Sequence, residues 1–308
     1  MIPFQPDRSA FGRHETFPLR FGWLTKGFAA WGANPGVFES DDATVELGVG
    51  KNMVSAIRYW MTAAQVLAAT KRGVAATEIG DRIFGAKGWD PYLEDDATIW
   101  LVHWLIASNA SEATAIFWFF NRFHKPEFTS SELQAALADF VARDVRGTRA
   151  AASTIRHDVN LLLRMYEPTG GSKIVPVEEL LDSPLSMLSL VRHPEGSRFH
   201  ESRPERRPDL PLVAFAFSVA ELFQYLKLAA LPVDLLLHSD GLVASPGSVF
   251  RLNEEGLIAK IEELVSWMPK VFALRETAGI RQLFQQTPKR PLEVLRMYYE
   301  RRDPRGDL

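Results

Sequence analysis

The chain contains no cysteine. That excludes a disulfide framework, Cys-ligated zinc or iron–sulfur centres, and thiol catalysis. No run of about 18 apolar residues occurs, so no segment reads as a membrane-spanning helix. The opening stretch, MIPFQPDRSAFGRHE, lacks the basic-then-apolar layout of a secretory signal, and a cytoplasmic location is expected. An excess of one charge is also missing. The 35 Lys and Arg nearly balance the 38 Asp and Glu, and the net charge of −3 neither demands nor excludes a nucleic-acid partner. The charge is nevertheless uneven: DRIFGAKGWDPYLEDDATIW ends acidic, while RHPEGSRFHESRPERRP and KRPLEVLRMYYERR are basic.

What remains is an ordinary globular composition, 46% hydrophobic and 24% charged, long enough for two domains or one large one. Its periodicity is mostly helical. A helix is expected from Pro18 to about Trp31, with Phe21, Leu24 and Phe28 on one side. A short element over residues 42–47 stops at Gly48. In residues 51–64, Met53, Val54, Ile57, Trp60, Met61 and Ala64 form one apolar stripe, with Lys51, Asn52, Ser55, Arg58 and Thr62 on the other side. QVLAATKRGVAATEIGDRIF then supplies two short strands around a Lys71-Arg72-Gly73 tip and a helix start at Thr77 or Glu78. Helix, helix, turn, longer amphipathic helix and basic-tipped hairpin is the layout of a winged helix-turn-helix. Such modules bind DNA, and others bind protein.

Beyond this unit, DDATIWLVHWLIAS and EATAIFWFFNRF are apolar nearly all round and read as buried helices. Thr129-x-x-Glu132 is a capping box opening a surface helix. STIRHDVNLLLRMY turns Ile155, Val159, Leu162 and Leu163 inward and Arg156, His157, Asn160 and Arg164 outward; with the preceding helix it makes a second helix-turn-helix or a plain helical hairpin. Residues 192–211, rich in Pro and Arg, read as a linker or exposed loop. Ser245-Pro246-Gly247 marks a turn before a short strand and a helix, and PLEVLRMYYERR is a final amphipathic helix. The expected fold is mainly α. It has an N-terminal winged helix-turn-helix in a DNA-binding region over residues 1–125, a helical region over 126–308 subdivided near 192–211, and a few short strands.

The stretch ELGVGKNM raises a second possibility, a phosphate-cradling P-loop. A Walker A loop needs Gly, four residues, Gly, Lys, then Ser or Thr. Aligned on Gly50-Lys51, Val45 stands where the first Gly belongs and Asn52 where the Mg²⁺-binding hydroxyl belongs. No Walker B strand follows, and the βα alternation of such folds is missing. As a turn the stretch makes sense. Gly48 or Gly50 supplies a positive φ between close-packed helices, and Lys51 and Asn52 open the second helix, whose N-terminus favours a phosphate.

GRHETFPLRFGWLTKG, ATVELGVGKNMVSAIRYW, DPYLEDDATIWLVHWLIA and SPGSVF resemble a bacterial family, the domain of unknown function 4007. The resemblance covers most of the chain and is most specific in the first 110 residues. It implies work on DNA in a phosphorothioate modification system, beside a cysteine desulfurase, a sulfur-transferring enzyme and an ATPase. The implied activity is nicking one strand so that sulfur can enter the backbone.

Nicking needs an activated water, stabilised charge on the phosphorus oxygens and a protonated leaving group, and carboxylates holding Mg²⁺ or Mn²⁺ commonly supply the first two. Two clusters fit. RHET offers Arg13, His14 and Glu15, and DPYLEDD offers Asp90, Glu94, Asp95 and Asp96. The candidate catalytic residues are His14, Glu15, Asp90 and Glu94, and the candidate metal ligands are Glu15, Asp90, Glu94 and Asp95. Arg13, Arg20, Lys26, Lys51, Asn52, Ser55 and Arg58 would dock double-stranded DNA, with Lys71 and Arg72 as a wing. Structural roles compete at each place: Asp95 and Asp96 as helix caps, His14-Glu15 as a fixed entry to the first helix, His103 as a core histidine. No PD-(D/E)xK or HNH nuclease signature is present. A non-catalytic DNA-binding or regulatory subunit that positions a partner enzyme, and a protein-binding adaptor, are therefore the alternatives to a nickase.

Overall fold

Gly22, not Pro18, begins the first helix. The structure, a computed structural model, describes residues 1–147, 149–168, 183–277 and 279–302. In it α1 (Trp23–Ala33) follows a left-handed Gly22 at φ 76°. Pro18 instead sits in an irregular entry, where buried Leu19 and the hydrogen bond from Trp60 Nε1 to Phe17 O (3.0 Å) hold the backbone out of helix. The short α2 (Ala43–Leu47) ends at Gly48, whose φ of 58° is the left-handed conformation only glycine takes without strain. Gly48 N donates to Val45 O at 3.2 Å and Val49 N to Thr44 O at 3.1 Å, the paired bonds of a Schellman end. Gly50 has an ordinary extended φ of −68°, so Gly48 makes the turn. In α3 (Lys51–Ala63) Val54, Ile57, Trp60 and Met61 are buried while Lys51, Asn52 and Ser55 face solvent. α1 crosses α3 at Gly27, where an added Cβ would lie 2.8 Å from Ile57 Cγ2.

β1 (Leu67–Thr70) and β2 (Gly73–Ala76) pair antiparallel from Leu67↔Ala76 to Thr70↔Gly73, leaving Lys71 and Arg72 at an exposed tip. Thr77 caps α4 (Glu78–Phe84) by accepting from Gly80 N. In α5 (Asp96–Ala107) every residue from Ala97 to Ala107 is buried, as its all-round apolar sequence requires. α6 (Thr114–Arg122) is buried likewise. β3 (Glu127–Phe128) precedes α7 (Ser130–Asp144), which opens on the expected Thr129–Glu132 capping box, and α8 (Ala152–Tyr166) follows.

Residues 192–211 are docked rather than free. β4 (His200–Glu201) pairs antiparallel with β3, and His200, Ser202, Arg207 and Leu210 are buried. The apolar α9 (Leu212–Leu226) packs on α5. After β5 (Ala230–Pro232) and α10 (Val233–Leu237), Pro246 opens the short helix α11 (Pro246–Val249), where the sequence suggested a strand. A proline at N1 is preorganised for helix, which outweighs the β-favouring Val-Phe pair behind it. α12 (Glu254–Trp267) leads to a hairpin that the sequence reading missed, β6 (Phe272–Thr277) with β7 (Ile280–Gln285), and β5 joins it in the order β5-β7-β6. α13 (Pro291–Arg302) closes the chain against α9. The architecture is mainly helical with a few short antiparallel strands. Its buried apolar side chains form one cluster running from Phe4 to Tyr299. Among the described residues no helix is long and apolar enough to cross a membrane.

One buried cation joins several of these pieces. Arg251 donates from Nη1 to Phe120 O (3.1 Å), from Nη2 to Phe119 O (2.9 Å) and Phe123 O (3.3 Å), and from Nε to Ser202 Oγ (2.9 Å). Burial pushes its guanidinium down to about 9. It still serves as the C-terminal cap of α6, answering carbonyls that no intrahelical donor can reach. Arg251→Met, which keeps the bulk and removes the donors, is expected to cost roughly 3 kcal/mol or more in urea unfolding, because it strands buried acceptors. A loss below about 1 kcal/mol would show that the cap is not needed.

Candidate functional site

Around the α2–α3 turn, several polar side chains face solvent. Lys26 Nζ donates to Leu47 O at 2.9 Å, which places a cation on the C-terminus of α2 beside the Gly48 turn. Lys51 and Asn52 open α3 behind Gly50, which brings no side-chain cap. The first N–H groups of this helix are therefore left for solvent or a ligand. Ser55 Oγ makes only a long 3.4 Å bond to Lys51 O. Arg58 is spoken for, since its Nη2 lies 2.9 Å from Glu39 Oε1. The hairpin turn packs beside the same Glu39, with the Gly73 Cβ position 3.3 Å from Oε1. Lys51, Lys71 and Arg72 have no ion-pair partner among the described residues. Arg20 stacks over Trp23 (5.5 Å) and Phe17 (5.9 Å), and Arg13 reaches Glu112 at 3.4 Å.

The RHET cluster divides between interior and surface. His14 is buried, with Nε2 2.5 Å from Asp158 Oδ1 on α8, and its Nδ1 accepts from Thr16 N at 3.0 Å. Those bonds put the shared proton on the Nε2 side. Gly12 N donates to the same Asp158 oxygen at 2.9 Å, and Tyr59 of α3 meets the imidazole edge-on. Burial and the Asp158 charge push the Tyr59 phenol well above its ordinary range. Glu15, at φ 50°, is exposed, so adjacent residues do not share a site.

DPYLEDD is organised by Asp90. Its Oδ1 accepts from Glu94 N (2.9 Å), and its Oδ2 accepts from Asp95 N (3.0 Å) and from Thr98 Oγ1 (2.5 Å). Asp95 caps α5 by accepting from Ala97 N at 2.9 Å and also takes the Tyr298 hydroxyl of α13. Both aspartates thus hold a loop to two helices, and Glu94 and Asp96 are the exposed carboxylates beside them. His103 is fully buried: its Nε2–H donates to Val249 O and its Nδ1 accepts from Tyr166 Oη, each at 2.9 Å.

A third cluster, not found from sequence, brings together Glu167, His193 and His200. Glu167 is the C-cap of α8, His200 opens β4, and His193 lies in the loop before it. Their donor atoms fall within 4.8 Å of one another, and a Glu167 oxygen contacts His200 Nδ1 directly. His200 is buried and stacked on Phe128, while His193 is exposed and donates from Nε2 to Ser197 O at 2.8 Å. The two imidazoles lie 4.5 Å apart between centroids. In the sequence these histidines belong to a basic stretch, and no spacing rule ties Glu167 to them across 25 intervening positions or more.

The family described as protein of unknown function DUF4007 matches residues 11–299. Two solved structures are similar over nearly the whole chain. One is the magnesium ion-bound SspB crystal structure, at 28% identity and TM-score 0.84, covering 97% of this chain and 91% of that one. The other is an SspB crystal structure at 28% identity and TM-score 0.83, with 98% and 92% covered. No curated protein matches.

His103 sets an acid limit on the fold. Burial drives its imidazole down to about 3, against about 6.5 in an unfolded chain. The unfolded chain takes up that proton first, so this contribution is complete above about pH 6.5 and is lost as pH falls toward 3, by about 1.4 kcal/mol per unit. Between pH 6.5 and 4.5, urea unfolding is expected to show a loss about 2–3 kcal/mol larger than that of His103→Gln. Equal losses would assign the acid sensitivity elsewhere.

Proposed function

The chain belongs to the DUF4007 family, and from that membership we propose that it is a DNA-binding, strand-nicking component of a bacterial DNA phosphorothioate modification system, aided by a divalent metal. Near-full-length similarity to SspB supports the pathway, and the magnesium ion in one SspB structure supports the metal. The observation that carries DNA binding is the Gly48 turn with its unpaired polar side chains. α1, α2, α3 and the β1–β2 hairpin work as a winged helix-turn-helix. A backbone phosphate sits at the α3 N-terminus, where free N–H groups and Lys51 meet it. Asn52 and Ser55 face the groove one turn further on, Lys26 and Arg20 flank the entry, and Lys71 and Arg72 reach an adjacent phosphate from the wing. Double-stranded DNA is the first partner, and sulfur-transfer and ATPase proteins of the same system are the others.

Cleavage adds water to phosphorus and breaks one P–O ester bond, with the departing oxygen taking a proton. A bound divalent ion supplies Lewis acidity and a more acidic water. Of the carboxylates in RHET and DPYLEDD, Glu15, Glu94 and Asp96 are open to solvent, whereas Asp90 and Asp95 are engaged by protein donors. That engagement, together with the burial of His14, favours the second reading, a non-catalytic subunit that positions a partner enzyme.

Replacing Lys51, Lys71 and Arg72 together with Ala is expected to weaken duplex binding at least tenfold. Each lost phosphate contact should flatten the slope of log K against log salt by about 0.9. Unchanged affinity would remove the winged-helix reading. Pure protein with Mg²⁺ or Mn²⁺ should convert supercoiled plasmid to the relaxed form. Tight binding without relaxation would leave the non-catalytic subunit.

A further inference from the structure

We propose that Glu167, His193 and His200 form a binding site for a first-row transition-metal ion such as Mn²⁺, and that this site discriminates against Mg²⁺. That the ion serves strand cleavage rests on the nicking reading; the site itself does not.

The donor set makes the selection. Mg²⁺ wants a shell of oxygens and gives up its waters reluctantly, and this cluster offers one carboxylate and two imidazoles. Two imidazoles with a single carboxylate suit first-row transition ions. Of these Mn²⁺ is the weakest binder and the nearest to Mg²⁺ in its taste for carboxylate and water, so it is the stringent probe. Three protein ligands leave positions open for water or a phosphate oxygen. The ligands are held as metal ligands usually are. The His193 Nε2–H is tied to the Ser197 carbonyl, which leaves the Nδ1 lone pair to bind. His200 is fixed by its stack on Phe128 and by the β3–β4 pairing Phe128↔His200. Glu167 ends a 15-residue helix, whose C-terminal dipole favours a cation at that point.

The approach to the site is also cationic. On the outer face of α8, Arg156, Asn160 and Arg164 are exposed at successive turns, a row about 12 Å long at the helical rise. Neither arginine of the row has an ion-pair partner among the described residues. The row stops one turn before Glu167. Arg198, in the loop that carries His193, is exposed as well and stacks on Phe199. A phosphate backbone drawn along α8 would therefore arrive at the three ligands, which explains why this end of the helix should hold a metal.

The full chain, freed of metal, is titrated with MnCl₂ alone and free Mn²⁺ is read by its electron paramagnetic resonance signal. One Mn²⁺ per chain is expected to bind. Its affinity should fall at least tenfold in His193→Ala and in Glu167→Gln, and a hundredfold excess of Mg²⁺ should displace less than half of it. His193 is exposed, so its variant keeps the fold, as circular dichroism would verify; if Glu167→Gln unfolds, His193→Ala decides alone. Wild-type affinity in a folded His193→Ala protein, or displacement by equimolar Mg²⁺, overturns the site. Plasmid relaxation is scored separately. One Mn²⁺ lost in the variants supports the site even where the wild type relaxes no plasmid, a result that would overturn nicking instead.

Discussion

The guanidinium of Arg251 is the contact on which the placement of the functional segments depends. Three of its four bonds answer carbonyls at the end of α6, and the fourth goes to Ser202. Ser202 in turn donates to Leu190 O and receives no slack from its backbone, whose N–H is tied to Pro126 O. Glu205 N donates to Arg251 O, and Asn253 N donates back to Glu205 O. A segment full of proline and arginine is thereby stitched to the helical core, and His200 sits two residues before Ser202 within it. A buried cation without a carboxylate partner is costly in isolation; here helix-end carbonyls and the faces of Phe119 and Phe120, each 5.1 Å away, offset the lost hydration.

Carboxylates in this protein fall into two sets that the sequence does not separate. Asp90, Asp95 and Asp158 are held by backbone N–H groups, hydroxyls or an imidazole; Asp90 ties its own loop to the start of α5, while Asp95 and Asp158 link elements far apart in the chain. The hydrogen bonds on Asp90 and Asp95 occupy lone pairs that a metal would need, and Asp158 is buried against His14. Glu167 is held by a histidine that is itself a metal-ligand type, beside a second histidine. The difference lies in what can leave: the proton between His200 Nδ1 and Glu167 can be exchanged for a cation held by the same two groups, whereas the backbone N–H groups on Asp90 and Asp95 cannot be displaced in this way.

Local signals were legible and long-range ones were not. The α3 stripe, the Thr129–Glu132 box, the basic-tipped hairpin and the glycine turn are set within a few residues, and each formed where periodicity or capping chemistry put it. The helix expected at Pro18 started later because Leu19 and Phe17 are claimed by Trp60 and the core, a tertiary contact with no local mark. Phe272–Thr277 (FALRET) and Ile280–Gln285 (IRQLFQ) lack the period-2 alternation of a half-buried strand, and Gly279 between them is the one local mark of that hairpin. DPYLEDD carried the right residue types for a metal, but whether a carboxylate is free depends on Thr98 and on tyrosines some 200 residues away. The three-ligand cluster is assembled by β3–β4 pairing and the end of α8, and nothing in one short window announces it.

The buried histidine of RHET has a geometric consequence beyond its own chemistry. His14 touches Tyr59 on α3 and bonds Asp158 on α8, and Gly12 bonds the same Asp158 oxygen. Asp158 faces inward from the helix whose outer side carries Arg156, Asn160 and Arg164 and whose end carries Glu167. The second oxygen of Asp158 is buried without a partner among the described residues, a cost the fold accepts to keep the carboxylate on His14. The pair therefore clamps the turn-flanked helix proposed to dock DNA to the helix proposed to deliver a phosphate to the metal. If both surfaces engage one duplex, their relative placement must be rigid, since a displacement of about 1 Å can cost a hundredfold in rate. A short imidazole–carboxylate contact inside the core fixes that placement better than any exposed ion pair could.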